Sequence, residues 1–163
     1  KSATYMQPLK LFRSNAGSSF QDVSAAAGTA FAQQIMGRGL AVGDFDNDGK
    51  QDVLVVNSEG SPMLLHNDTQ VSGHWLSITL QGVRCNRDGI GSLITATAGK
   101  LHLLSRCGTD GSYMSASDRR VHFGLGAASK ADIKVSWPDG HVDKYNGVAA
   151  DRVVTIREGS ASV

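Results

Sequence analysis

The sequence predicts an all-β protein, and three observations lead there. Glycine accounts for 19 of 163 residues, roughly 12% where about 7% is usual. The acidic residues are almost all aspartate, with Glu59 and Glu158 the only glutamates among 15. Glutamate suits helix surfaces, whereas aspartate suits turns, caps and hard-cation sites. Finally, the apolar pattern is short-period, broken by Gly, Asn and Asp about every 8–12 residues, as a sandwich, barrel or propeller blade requires.

Taken in order, the first strand candidates are Leu9 to Phe12, Phe20 to Val23, Leu40 to Gly43, Val53 to Val56 and Met63 to Leu65. Trp75 to Leu80, Leu93 to Thr97, Leu101 to Leu104 and Val121 to Phe123 follow, then Ile133 to Trp137, Val142 to Tyr145 and Val153 to Ile156. Ile133, Val135 and Trp137 alternate with Lys134 and Ser136, which marks a strand with one wet face. Ser24 to Met36 is rich in Ala and Gln but interrupted by Gly28, so it predicts short helical turns rather than a helix.

A composition shift near Val71 to Gly73 separates a punctuated, acid-rich first part, residues 1–72, from a second, residues 73–158, that holds both cysteines. Residues 159–163 are small and polar and predict a flexible tail. With 16 basic and 15 acidic side chains the net charge is +1, so no nucleic-acid footprint is expected. No apolar run approaches the roughly 18 residues of a membrane span, so no membrane insertion is expected.

The sharpest local signal is Gly43-Asp44-Phe45-Asp46-Asn47-Asp48-Gly49-Lys50-Gln51-Asp52. Asp44, Asp46 and Asp48 alternate, Gly49 permits a tight turn, and Asp52 returns at the ninth position. Carboxylates packed this closely repel one another, and a hard cation removes the repulsion. Ca²⁺ takes about 6–8 oxygens, and Asp44, Asp46, Asp48, the Lys50 backbone carbonyl and Asp52 supply that chemistry. Mg²⁺ prefers to keep several waters and suits such a cage less well. An EF-hand would need a glutamate at position twelve, which is Val55, and flanking helices instead of strands. The plainer reading is an Asp-rich hairpin turn. That accounts for Asp48-Gly49 but leaves Asp44, Asp46 and Asp52 without a reason.

Strand, Asp-x-Asp-x-Asp-Gly-x-x-Asp, strand resembles the calcium loop of FG-GAP (VCBS-type) repeats, which form β-propeller blades in proteins such as the integrin α-subunit head. Leu11 to Asn15, Phe20 to Val23 and Ala26 to Gly28 resemble the segment before such a loop, and Asn57 with Leu64 to Asp68 the segment that closes it. Further on, Asn86-Arg87-Asp88-Gly89-Ile90-Gly91, Gly111-Ser112-Tyr113-Met114-Ser115, His122 to Gly126 and Trp137-Pro138-Asp139-Gly140 resemble, in that order, the ASPIC/UnbV domain. That domain follows FG-GAP repeats in the cartilage acidic protein family. The resemblance implies a blade-like repeat followed by a small β-sandwich or barrel-like domain. It also implies structural calcium, an adhesion or interaction role, and an extracellular, secreted or periplasmic (cell-envelope) location, without catalytic residues. Only one calcium loop is present, so the lone blade either continues into further propeller blades or packs on the domain that follows.

Cys85 and Cys107 are the only cysteines; a disulfide between them and two free thiols both remain open. They lack the CxxC spacing of a zinc site. The five histidines are scattered singly, and Trp75 and Trp137 suit core or inter-domain packing better than exposed sugar stacking. Asp118-Arg119-Arg120 reads as a solvated charge cluster. Asp88 and Asp110 invite a glycosidase reading, although nothing fixes their separation. The expected function is therefore a non-enzymatic, calcium-stabilised module for a protein or glycan ligand. The alternatives are a carbohydrate-active or hydrolytic enzyme domain and an architectural cap on a larger propeller. An open blade edge also permits a homo-oligomer by strand exchange.

Overall fold

The computed structural model describes residues 5–15, 17–70 and 72–160. The first part contains β1 (Gln7–Pro8), β2 (Phe12–Ser14), β3 (Phe20–Asp22), β4 (Gln34–Ile35), β5 (Gly37–Gly43), β6 (Asp52–Asn57) and β7 (Met63–Leu65). The second contains β8 (His74–Gln81), β9 (Leu93–Ala98), β10 (Leu101–Arg106), β11 (Val121–Gly126), β12 (Lys130–Ser136), β13 (Val142–Ala149) and β14 (Arg152–Arg157). Each strand candidate from the sequence meets one of these. The Ala-rich stretch becomes two single-turn 3-10 helices, Ser24–Ala26 and Thr29–Ala32.

The second part is a two-sheet sandwich. One sheet runs β10-β9-β12-β13 and the other β11-β8-β14, with β14 parallel to β8 and the remaining pairs antiparallel. Strand alternation aims one set of side chains inward: Ala131, Ile133 and Val135 from β12, Ile94 and Ala96 from β9, Val121, Phe123 and Leu125 from β11. These meet Leu76 and Ile78 of β8 and Trp137 in one continuous core. Each fully buried aliphatic side chain contributes about 1.5–3 kcal/mol. Trp137 is sealed in, and its indole N–H donates to Asp143 at 2.8 Å, so it is a core residue rather than a stacking platform.

The first part has almost no core of its own. Among its described residues only Ile35 and Val55 are buried hydrophobics. β5, β6 and β7 form an antiparallel meander in which Ala41, Leu54 and Leu64 lie opposite one another on one face. Leu54, Val56 and Leu64 are exposed there. A single blade cannot bury both faces, because repeat units share their neighbours' cores. This blade leans instead on the sandwich, whose residues 112–120 run along the outer edge of β5.

Val71, at the expected boundary, lies outside the described residues. So do residues 161–163 of the expected tail. Gly159 and Ser160 are anchored, Gly159 N–H donating to Asp143 at 2.8 Å and Ser160 bonding Tyr145 and Arg157. No helix among the described residues is long and apolar enough to cross a membrane.

Candidate metal centre

The loop from Asp44 to Gln51 joins β5 to β6, whose register sets Gly43 opposite Asp52. That pairing returns the last carboxylate to the first. Asp44, Asp46 and Asp52 each place a carboxylate oxygen within 4.8 Å of the other two. Two oxygens bound to one Ca²⁺ at about 2.3–2.6 Å stand at most roughly 5 Å apart, so this spacing suits a single hard cation.

Backbone bonds hold the two inner carboxylates in place. Asp44 is buried, and its Oδ2 accepts from the Gly49 N–H at 3.0 Å while Oδ1 accepts from the Asp48 N–H at 3.1 Å. Asp52 is buried too, taking the Phe45 N–H at 2.9 Å and the Asn67 N–H at 2.8 Å. A carboxylate oxygen has two lone-pair sites, so one such bond leaves room for a cation. The turn itself needs φ +87° at Gly49, a left-handed conformation that glycine adopts freely.

Asp48 lies to one side of this trio. Its carboxylate pairs with the Lys50 ammonium, which holds the Asp48 pKa below the usual carboxylate range and raises that of Lys50. Lys50 also donates its backbone N–H to Asp48 Oδ1 at 2.8 Å. Asp48 groups instead with Asp46 and His66, whose Nε2 lies 3.0 Å from Asp46 Oδ2. His66 is not among the ligands expected from the sequence. Its signal lies in the Leu64 to Asp68 closing segment, which β7 brings back beside the loop.

The sandwich grips the same loop. Trp75 packs its indole on Gly49, where a β-carbon would stand 2.0 Å from Nε1, and stacks on His122 with ring centroids 6.0 Å apart. Arg120 donates to the Asp44 carbonyl at 2.7 Å and to the Asn47 side chain. Asp118-Arg119-Arg120 is therefore not a solvated cluster. Asp118 bonds Val42, Arg119 pairs with Asp88, and Arg120 reaches the loop. A cleft of about 620 Å³ opens at this seam, bounded by Asp48, Asn67, Trp75, His122 and Asp151. Burial lowers the His122 pKa, and His74 at 2.6 Å lowers that of Asp151.

Cys85 and Cys107 are not bonded to each other; both are free thiols. The physical reason is their surroundings. Cys107 is buried with Sγ toward the Asp88 and Arg119 carbonyls, while Cys85 lies beside Asp139 and Glu158. Burial raises both thiol pKa values. Although Cys85, Asp139 and Glu158 lie within 4.8 Å, Arg84 already pairs with both carboxylates. Glu158 is also committed elsewhere. Its Oε2 accepts the N–H groups of Val83, Arg84 and Cys85 at 2.7–3.0 Å, and the Cys85 bond leads in lowering its pKa to about 2.

The family model described as ASPIC and UnbV matches residues 82–163, and that described as FG-GAP-like repeat matches residues 2–55. Cartilage acidic protein 1 of Mus musculus is 28% identical over 136 residues, covering 80% of this chain and 21% of that protein. The Homo sapiens protein of the same name is also 28% identical over 136 residues, covering 80% of this chain and 20% of its own length. The chain thus spans about one fifth of the curated relatives it matches.

Proposed function

This chain belongs to the ASPIC and UnbV family, preceded by an FG-GAP-like repeat, and on that premise we propose that it is a calcium-stabilised, non-catalytic interaction module. We assign it an extracellular, secreted or cell-envelope location and a protein or glycan ligand. The convergence of Asp44, Asp46 and Asp52 carries the calcium reading. Asp48 and the Lys50 carbonyl complete the proposed oxygen set, and Ca²⁺ would supply charge neutralisation and hold the loop between β5 and β6. Division into an FG-GAP-like unit, residues 1–72, and an ASPIC/UnbV unit, residues 73–158, is part of the same proposal.

The non-catalytic reading draws support from Asp88 and Asp110, the two carboxylates a glycosidase would use. Arg106 pairs with Asp110 and Arg119 pairs with Asp88, so both carboxylates are engaged by guanidinium groups, which favours their ionised form over that of a general acid. A second role, as the terminal cap of a larger propeller, is favoured by the exposed apolar face of Leu54, Val56 and Leu64, which suits a neighbouring blade. Calcium titration by calorimetry tests the main reading. Binding at one site that Asp46→Ala abolishes is the expected result, and undiminished binding in the variant rejects the assignment.

A further inference from the structure

β5 is an edge strand, with no strand partner in its sheet on the side away from β6. In a strand, alternate residues direct their N–H and C=O groups to the same side, and an unpaired row of them is a template for another strand. Three of the outward groups, Leu40 N–H, Val42 N–H and Val42 C=O, are taken by one segment of the sandwich. Leu40 N–H donates to Ser112 Oγ at 3.1 Å, and Val42 N–H donates to Ser117 Oγ at 3.1 Å. Val42 C=O accepts the Asp118 N–H at 2.9 Å.

The approach is close and depends on glycine. A β-carbon at Gly39 would meet Ser115 Oγ at 2.3 Å and the Tyr113 carbonyl at 2.9 Å. One at Gly43 would lie 3.1 Å from Asp118 Cβ. Beyond the strand end, Arg120 continues the contact to the Asp44 carbonyl. Each glycine thus faces the segment that supplies the hydroxyls.

We propose that residues 112–120 are an edge-recognition segment whose partner is the outer strand of this chain's own FG-GAP-like sheet. The Ser112 and Ser117 hydroxyls stand in for the carbonyls of a fourth strand. This is strand addition with side-chain acceptors. Residues 112–118 thereby cover the β5 edge and deny that edge to a second copy.

Amide hydrogen exchange on the full chain, read residue by residue by NMR, tests it. In the parent, Leu40 and Val42 are expected to be protected. In Ser112→Ala/Ser117→Ala they should exchange about tenfold faster or more. Ile94 and Ile133, on the inner strands β9 and β12, should keep their protection and so report that the variant is folded. Ser117→Ala alone should release Val42 more than Leu40. Parent amides at 40 and 42 exchanging at free-peptide rates would overturn the proposal, as would unchanged protection in the folded double variant.

Discussion

The indole of Trp75 rests on Gly49, so closely that a β-carbon at residue 49 would lie 2.0 Å from Nε1. One residue lies near the start of β8 of the sandwich and the other turns the Asp-rich loop, so the loop's shape is set from both halves of the chain. With Arg120 on the Asp44 carbonyl, the loop cannot rearrange without disturbing the sandwich surface. The proposed calcium site is thus mechanically coupled to the second half.

Gly49→Ala tests this coupling. Alanine at φ +87° is strained, and its methyl would displace Trp75. A loss of about 2 kcal/mol or more is expected in denaturant melts, with altered tryptophan emission. The loss should shrink in a Trp75→Ala background. Equal losses in both backgrounds would show that the two residues do not interact.

Arg120→Ala should weaken calcium binding by about threefold to tenfold, the loss of one or two hydrogen bonds at the loop. Calorimetric titration reads it directly. An unchanged affinity would mean that the loop is held without the sandwich.

Glu158 predicts acid sensitivity. Its folded pKa, about 2, lies below the ordinary value of 4.5, so the stabilisation it provides is full above pH 4.5. It is lost as pH falls from there toward about 2. Glu158→Gln should lower the melting midpoint at neutral pH and flatten its fall across that window. A variant whose acid profile parallels the parent's would count against this role.

The two sheets predict opposite tolerances. Leu125→Ala in the sandwich core should cost about 2–5 kcal/mol, whereas Leu54→Ser on the exposed blade face should stay within about 0.5 kcal/mol. A large loss for Leu54→Ser in this chain would show that the face is covered.

Much of this is legible in the sequence because the signals are local. Strand alternation in β12 and the spacing of Asp44, Asp46 and Asp52 depend on residues within one turn or strand of each other. Apolar content alone places the first strand too early, at Leu9 to Phe12. The Asn15 N–H to Ser19 carbonyl bond continues the pairing of Ser14 with Phe20, and this register puts β2 at Phe12–Ser14. The docking positions of Arg120, Trp75, Ser112 and Ser117 leave no local trace. Each reaches the blade from 26 to 76 positions away, and a charge triplet such as Asp118-Arg119-Arg120 looks the same whether solvated or bonded to a distant strand.

The most direct test of the central claim is a thermal melt with millimolar calcium, with excess chelator, and with magnesium as control. Binding to the folded form alone, at about 100 times the dissociation constant, stabilises by about 2.7 kcal/mol. The account predicts a rise of several degrees that is specific to calcium and absent in Asp46→Ala. No shift, or an equal rise with magnesium, would contradict it.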